Sequence, residues 1–216
     1  PKSDAQNNSL LTGTLQVMPF SAIPDRIFYC ISYAVFAVPL MLFYAFFIPP
    51  FQVPDESSHF ARAYQLTQGE FFPTKQPDPD APGEYTVGGT TDPGIYLAAG
   101  KLTYLQFNSA KKYSINKAVE VNRYTWRDGE MRDTRSVSVN APTFYAIPAL
   151  GVVLGQYLDK SIVQTLTLSR LINGFFAFVV SCIALLTLRR GSGVMFVLLL
   201  MPMTVAQMAS SSQDAT

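Results

Sequence analysis

From Ile27 to Ile48 the chain runs without a single charged residue, through ISYAVFAVPLMLFYAFF. An α-helix rises about 1.5 Å per residue, so roughly 20 residues cross the ~30 Å hydrocarbon core of a bilayer, and this run suffices. It is too long, and begins too far along the chain, for a secretory signal, whose apolar centre is usually about 7 to 15 residues. Leu171 to Leu188 repeats the pattern, rich in Phe, Val, Leu and Ala, and Gly193 to Ala209 forms a third apolar run broken only by Pro202 and Gln207. Membrane helices tolerate prolines such as Pro39 and Pro202 because neighbouring helices satisfy the freed carbonyls. With 49% hydrophobic and 14% charged residues, composition points the same way: an α-helical integral membrane protein, not a soluble globular domain.

The formal net charge is +1 and no basic stripe is interleaved with aromatics, so a nucleic-acid partner is not expected. Both cysteines, Cys30 and Cys182, lie inside apolar runs and read as small buried hydrophobes, not as a disulfide or metal pair. With His59 as the one histidine, no zinc spacing is present. The chain starts without methionine and stops just past an apolar run, which suits a fragment of a larger multi-span protein.

Basic residues orient membrane helices, being retained on the cytoplasmic side. Lys2 and Arg26 precede the first run, and Arg189 with Arg190 closes the second before a Gly-Ser-Gly turn. The expected organisation is then a cytoplasmic segment over 1–26 and a transmembrane helix over 27–49. An extracytoplasmic loop follows over 50–169, with helices near 55–68 and 141–158. Transmembrane helices over 170–188 and 193–209 come next, and a second outer loop begins at 210–216. A competing topology makes 141–158 a fourth span; Pro142, Pro148 and two glycines also suit a helix lying in the interface. Within the loop, Pro54 to Gln68 reads as a helix closed by Gly69, Phe71 to Gly94 as an irregular loop rich in Pro, Gly and Asp, and Arg135 to Val139 as a short strand.

Where the first run leaves the membrane the chain reads IPPFQVPDESSHFARAYQLTQGEF. On a helix Asp55 and His59 are four apart, while Glu56–His59 and His59–Arg62 are three apart, so the four converge on one flank with Phe60, Ala63 and Tyr64 opposite. A carboxylate at the hydrocarbon edge loses solvation, which raises its pKa, and a neighbouring cation lowers it. The balance makes Asp55 the candidate general base. The ordinary alternative is acidic residues in a helix's first turn with i,i+4 partners.

The strings PPFQVPDESSHFARAYQLTQGE, NAPTFYAIPALGVVLGQ, SRLINGFFAFVV and LMPMTVAQMASSSQDA, in that order, resemble the landmarks of a family of predicted bacterial membrane proteins of unknown function, itself similar to the C-type glycosyltransferase superfamily. The resemblance implies the N-terminal part of a multi-span fold of that type, in the bacterial cytoplasmic membrane. It also implies an enzyme that takes a sugar from a polyprenyl-phosphate carrier and gives it to a glycan, lipid or protein acceptor. In that superfamily an acidic motif in the first outer loop supplies the catalytic carboxylate, and Asp55 and Glu56 fall on it. Tyr145 and Pro148 fall on the second helix of that loop, Arg170 on an arginine at the outer end of the next span, and Asp214 on the acidic position of the second outer loop.

An inverting transfer needs a base for the acceptor hydroxyl and positive charge for the leaving phosphate. The expectation gives the first task to Asp55, the second to Arg62 or Arg170, and to His59 either phosphate binding or carboxylate orientation. Some members of the superfamily use a divalent metal; one Asp-Glu pair is too few ligands to decide, since hard cations take about six oxygens. Two other classes fit the same residues: a transporter or flippase of lipid-linked glycans, and a non-catalytic membrane assembly subunit. A transporter places ionisable residues near mid-membrane, whereas this chain keeps them at the boundary.

Overall fold

The computed structural model describes residues 24–78 and 82–212. Lys2 and Asp214, singled out above, lie outside the described residues.

Two helices are long and apolar enough to cross a membrane: α1 (Asp25–Phe47) and α7 (Ile162–Thr187). Along α1 the buried positions Tyr33, Ala37, Met41 and Ala45 recur every fourth residue, the spacing of one helix face. The other faces leave Ile31, Val35, Phe36, Phe43, Phe46 and Phe47 exposed. Only 22% of the α1 apolar window and 33% of the α7 window are buried. A core helix of a water-soluble fold would be covered on all sides; this belt needs lipid or other apolar helices against it. The two helices meet through Tyr33 and Phe178, whose rings stack at 5.7 Å.

Cys30 on α1 and Cys182 on α7 pack against the same buried cluster between the two helices. Because the chain has two cysteines in all, a membrane-permeant oxidant should yield one intrachain disulfide. Non-reducing electrophoresis of wild type against Cys182→Ser checks it, and an uncrosslinked wild type would contradict the α1–α7 packing.

The third apolar run is not the single helix expected over 193–209. It divides into α8 (Ser192–Leu199) and α9 (Pro202–Met208). Met201 is extended, with φ −57° and ψ 133°, because the residue before a proline is pushed out of the helical region. At the other end of these helices Arg26 donates to the Leu186 carbonyl at 3.4 Å, and Gly191 turns the chain after Arg189 and Arg190 with φ 85°. The basic residues therefore gather at one end of the bundle.

The rest of the chain forms a polar domain at the opposite end. Its centre is α2 (Glu56–Thr67), surrounded by α3 (Pro93–Gly100), α4 (Ile115–Val121), α5 (Arg135–Ser138), α6 (Ala146–Tyr157) and a three-stranded antiparallel sheet. The strands are β1 (Thr74–Pro77), β2 (Tyr85–Thr91) and β3 (Glu130–Asp133), in the order β1-β2-β3. Phe60, Tyr64, Ile95, Val152, Ile162 and Leu166 make the core, and Trp126 stacks on Tyr64 at 5.4 Å.

Three expectations are corrected here. The stretch from Phe71 to Gly94 holds β1 and β2, since Gly88 and Gly89 serve close approach: a Cβ on Gly88 would collide with the Arg132 carbonyl of the neighbouring strand. Residues 135–138 are helical, not a strand. The ladder ends where Thr134 N–H donates to the Val87 carbonyl at 3.2 Å, and Asp133 Oδ1 accepts from Arg135 N–H at 2.9 Å to turn the chain. The span expected over 170–188 starts eight residues earlier, at Ile162, under a capping box made by Ser161 and Gln164.

The segment 141–158 is a 3₁₀ turn, Pro142–Tyr145, followed by the 12-residue α6. At about 1.5 Å per residue it covers some 18 Å, too short to span. Instead α6 folds back along the first turns of α7, with Gly151 and Gly155 at the contact. A Cβ on either would overlap Ser169 or Thr165 of α7. Gly151→Leu should destabilise the protein by about 1–3 kcal/mol, with the α6–α7 pair splayed. Thermal unfolding in detergent reads it; an unchanged midpoint would contradict the contact.

Candidate functional site

Pro49 and Pro50 end α1, since proline lacks the N–H and forces its predecessor out of the helix. The last carbonyls of α1 are then left without intrahelical donors. Arg170, on α7, supplies them: Nη1 donates to the Ala45 carbonyl at 3.2 Å and to the Ile48 carbonyl at 2.8 Å, and Nη2 to the Pro49 carbonyl at 3.2 Å. Its remaining N–H groups go to Glu56, Nε to Oε1 at 2.8 Å and Nη2 to Oε2 at 2.6 Å. All five guanidinium donors are thus used inside the protein.

Glu56 is equally occupied. Besides the forked pair with Arg170, Oε2 accepts from Phe51 N–H at 3.1 Å and Oε1 from Ser211 N–H at 3.2 Å. The side chains of the pair are 2% and 0% exposed, so water competes for neither. Ser211 belongs to a buried serine run that closes against α7: Ser169 and Ser211 hydroxyls lie 2.8 Å apart, and Asn173 Nδ2 donates to the carbonyls of Ser210 at 2.9 Å and Ser212 at 3.2 Å. One ion pair therefore ties together the end of α1, the start of α2, the middle of α7 and the segment after α9.

The inward turn of Glu56 leaves Asp55 facing out. Asp55 is the N-cap of α2, but in the left-handed region (φ 55°, ψ 10°), and its side chain makes no capping bond. An N-cap normally lies in the extended region and uses its side chain on the helix. Here the carboxylate is solvent-exposed and, among the described residues, has no hydrogen bond or ion pair. It therefore does not sit withdrawn from water at the hydrocarbon edge, as the sequence suggested.

Asp55 lines an open groove of about 610 Å³ together with Phe51, Gln52, Leu105, Gln106 and Phe107. Among the described residues four non-glycine positions have positive φ, and three of them, Phe51, Asp55 and Phe107, line this groove. Such conformations cost of order 1–3 kcal/mol each and persist where the surroundings hold them. A second groove of about 620 Å³, lined by Pro49, Lys111, Lys112 and Tyr113, adjoins the first and shares Gln52, Leu105 and Phe107 with it.

The other expected site residues do not join Asp55. His59 is buried, its Nδ1 lying 3.0 Å from the Tyr145 hydroxyl, which also accepts from Asn140 Nδ2 at 3.2 Å. Arg62 is 1% exposed and donates to Gln65 Oε1 at 2.9 Å and to the carbonyls of Glu70 at 3.1 Å and Phe71 at 2.6 Å, fastening α2 to the chain leaving it. Burial pushes its guanidinium below the usual arginine value, opposed by Tyr145 and Glu70. The one-flank convergence fails because α2 is covered on both flanks, and each polar side chain takes a partner from a different neighbour. Neither Arg62 nor Tyr145 reaches the groove.

Sequence reasoning missed Phe107, Lys111 and Lys112. The paired lysines were visible, but nothing in the composition placed residues 105–113 beside Pro49. Two bonded carboxylates, the half-buried Glu70 and the buried Asp92, also escaped notice. Glu70 accepts from Thr90 N–H at 2.7 Å and hydroxyl at 2.6 Å; Asp92 caps α3 through Gly94 N–H at 2.7 Å, and burial pushes its carboxyl up against the opposing effect of backbone donors. Both hold loops. No group of three His, Cys, Asp or Glu side chains suited to a metal ion occurs among the described residues.

Residues 39–216 match the model of a family described as predicted membrane protein (DUF2142). No curated protein and no solved structure matches the chain.

Proposed function

The chain belongs to the DUF2142 family of predicted membrane proteins, and from that premise we propose that it carries the outer-face site of a glycosyltransferase using a polyprenyl-phosphate-linked sugar. Three adjacent apolar segments with Arg26, Arg189 and Arg190 at one end support a reading in which that end faces the cytoplasm and the polar domain lies outside, on a bacterial cytoplasmic membrane. The observation that carries the reading is Asp55: an exposed carboxylate without a partner among the described residues, held in strained backbone at a groove that opens beside the end of α1.

In the reaction the Asp55 carboxylate takes the proton of the acceptor hydroxyl. The oxygen attacks the anomeric carbon of the donor, and the bond from that carbon to the phosphate oxygen breaks with its electron pair leaving on the polyprenyl phosphate. Glu56 becomes a positioning residue, because its lone pairs are committed to Arg170, Phe51 and Ser211. With Arg170 and Arg62 both satisfied within the protein, the cation facing the leaving phosphate has to come from another part of the groove. His59 and Tyr145 brace α2 from behind.

The break between α8 and α9 favours a second reading, transport of a lipid-linked glycan, since broken helices often line substrate paths. The break itself, at Leu200–Met201, presents no ionisable side chain, which weakens that reading. Full-length protein reconstituted with radiolabelled polyprenyl-phosphate sugars separates the two. A transferase releases polyprenyl phosphate and labels an acceptor, and loses both with Asp55→Asn; label that crosses the bilayer unchanged in both proteins would establish transport instead.

A further inference from the structure

We infer that the segment from Leu105 to Tyr113 is a docking site for the phosphate of an anionic lipid in the leaflet that faces the polar domain. Three independent features of this segment converge on that occupant. The first is position: the groove it forms includes Pro49, two residues past the end of α1, so it opens where the apolar helix gives way to the polar domain.

The second is Phe107. Its ring is fully exposed, and its backbone is left-handed, with φ 55°, a conformation that costs energy for a residue with a Cβ. A large apolar ring projected into water by strained backbone gains nothing from the polar domain itself. Projected at the level of the headgroups it gains the burial that amphipathic and aromatic side chains find at a membrane boundary.

Charge is the third feature. Lys101 and Lys117 share one carboxylate partner, Glu120, at 3.4 and 2.6 Å, which holds both against it and offsets one of their two charges. Lys111 and Lys112 are exposed and have no ion pair among the described residues, and no Asp or Glu lines their groove. Two unopposed ammonium groups beside an exposed aromatic ring, at the end of an apolar helix, complement a phosphate carried on a hydrocarbon chain. The groove that holds Asp55 shares Gln52, Leu105 and Phe107 with this one, so a substituent on that phosphate would lie next to the carboxylate's groove. The inference rests on the transferase reading for what that substituent is, and not for the phosphate itself.

The test uses full-length protein in detergent, titrated with short-chain phosphatidic acid, short-chain phosphatidylcholine and inorganic phosphate, with binding read by thermophoresis. Wild type should bind the phosphatidic acid most tightly. Lys111→Ala with Lys112→Ala should weaken that binding about thirty-fold, at roughly fivefold per lysine near a charged lipid surface, while Lys101→Ala leaves it unchanged. Phe107→Ala should weaken lipid binding and leave inorganic phosphate unaffected. Should the double alanine variant elute as aggregate, Lys111→Gln with Lys112→Gln, or the loss of wild-type affinity between low and high salt, reads the same electrostatics.

Equal affinity in the double variant, or inorganic phosphate binding as tightly as the lipid, would overturn the inference. Asp55→Asn should bind the probe lipid at least as well as wild type. Lysine-dependent lipid binding together with unchanged sugar transfer by Asp55→Asn would therefore leave the docking site standing and remove the transferase reading alone.

Discussion

Arg170→Met should destabilise the folded protein by about 3–5 kcal/mol, the cost of leaving a buried charge without its partner. The size follows from what remains behind. Glu56 would keep only the N–H groups of Phe51 and Ser211, the carbonyl of Ala45 would lose its donor inside the protein, and those of Ile48 and Pro49 would lose theirs at its half-buried edge. Arg170→Lys should recover little, because a single ammonium cannot reproduce five N–H groups in a planar fork. The double replacement Glu56→Met with Arg170→Met should be less harmful than Arg170→Met alone, since it removes both buried charges together. Equilibrium unfolding in mild detergent, arranged as a double-mutant cycle, measures the coupling. Additive effects of the two single changes would show that the pair does not act as a unit.

Asp55→Asn should lower sugar transfer by about 10²–10⁴-fold, the usual contribution of a positioned general base. The same variant should unfold at the wild-type midpoint, because the Asp55 side chain neither caps α2 nor bonds to any described residue. Asparagine also tolerates the left-handed backbone that position 55 requires. Loss of turnover with preserved stability is therefore the signature of a group that serves chemistry and not architecture. Glu56→Gln should show the converse: reduced stability, with activity falling because Asp55 is no longer held. Full transfer activity in Asp55→Asn would end the proposed assignment.

How far the site was legible depends on where each partner lies in the chain. That Asp55 and Glu56 are candidates was visible from an acidic pair a few residues past a proline-terminated apolar run. Their division of labour was not, because Arg170 lies 114 residues from Glu56 and its donors could have pointed at lipid as easily as inward. For His59 and Arg62 the helical spacing was right and the surroundings were not. Spacing predicts which side chains share a flank of α2, but not that Tyr145 and the chain at Phe71 would already cover it. The left-handed backbone at Phe107 left no trace in the residue types, since glycine or asparagine would have been the signal for such a conformation.

By itself the sequence determined the long apolar stretches of α1 and α7, because a helix in lipid satisfies its own backbone and needs only length and a run without charge. It likewise set the break before Pro202 in principle, through the restriction a proline places on its predecessor. Only the tertiary structure decided which acidic residue turned inward. Glu56 could turn inward only because an arginine and two backbone N–H groups arrive together at its carboxylate, and those came from three separate parts of the chain.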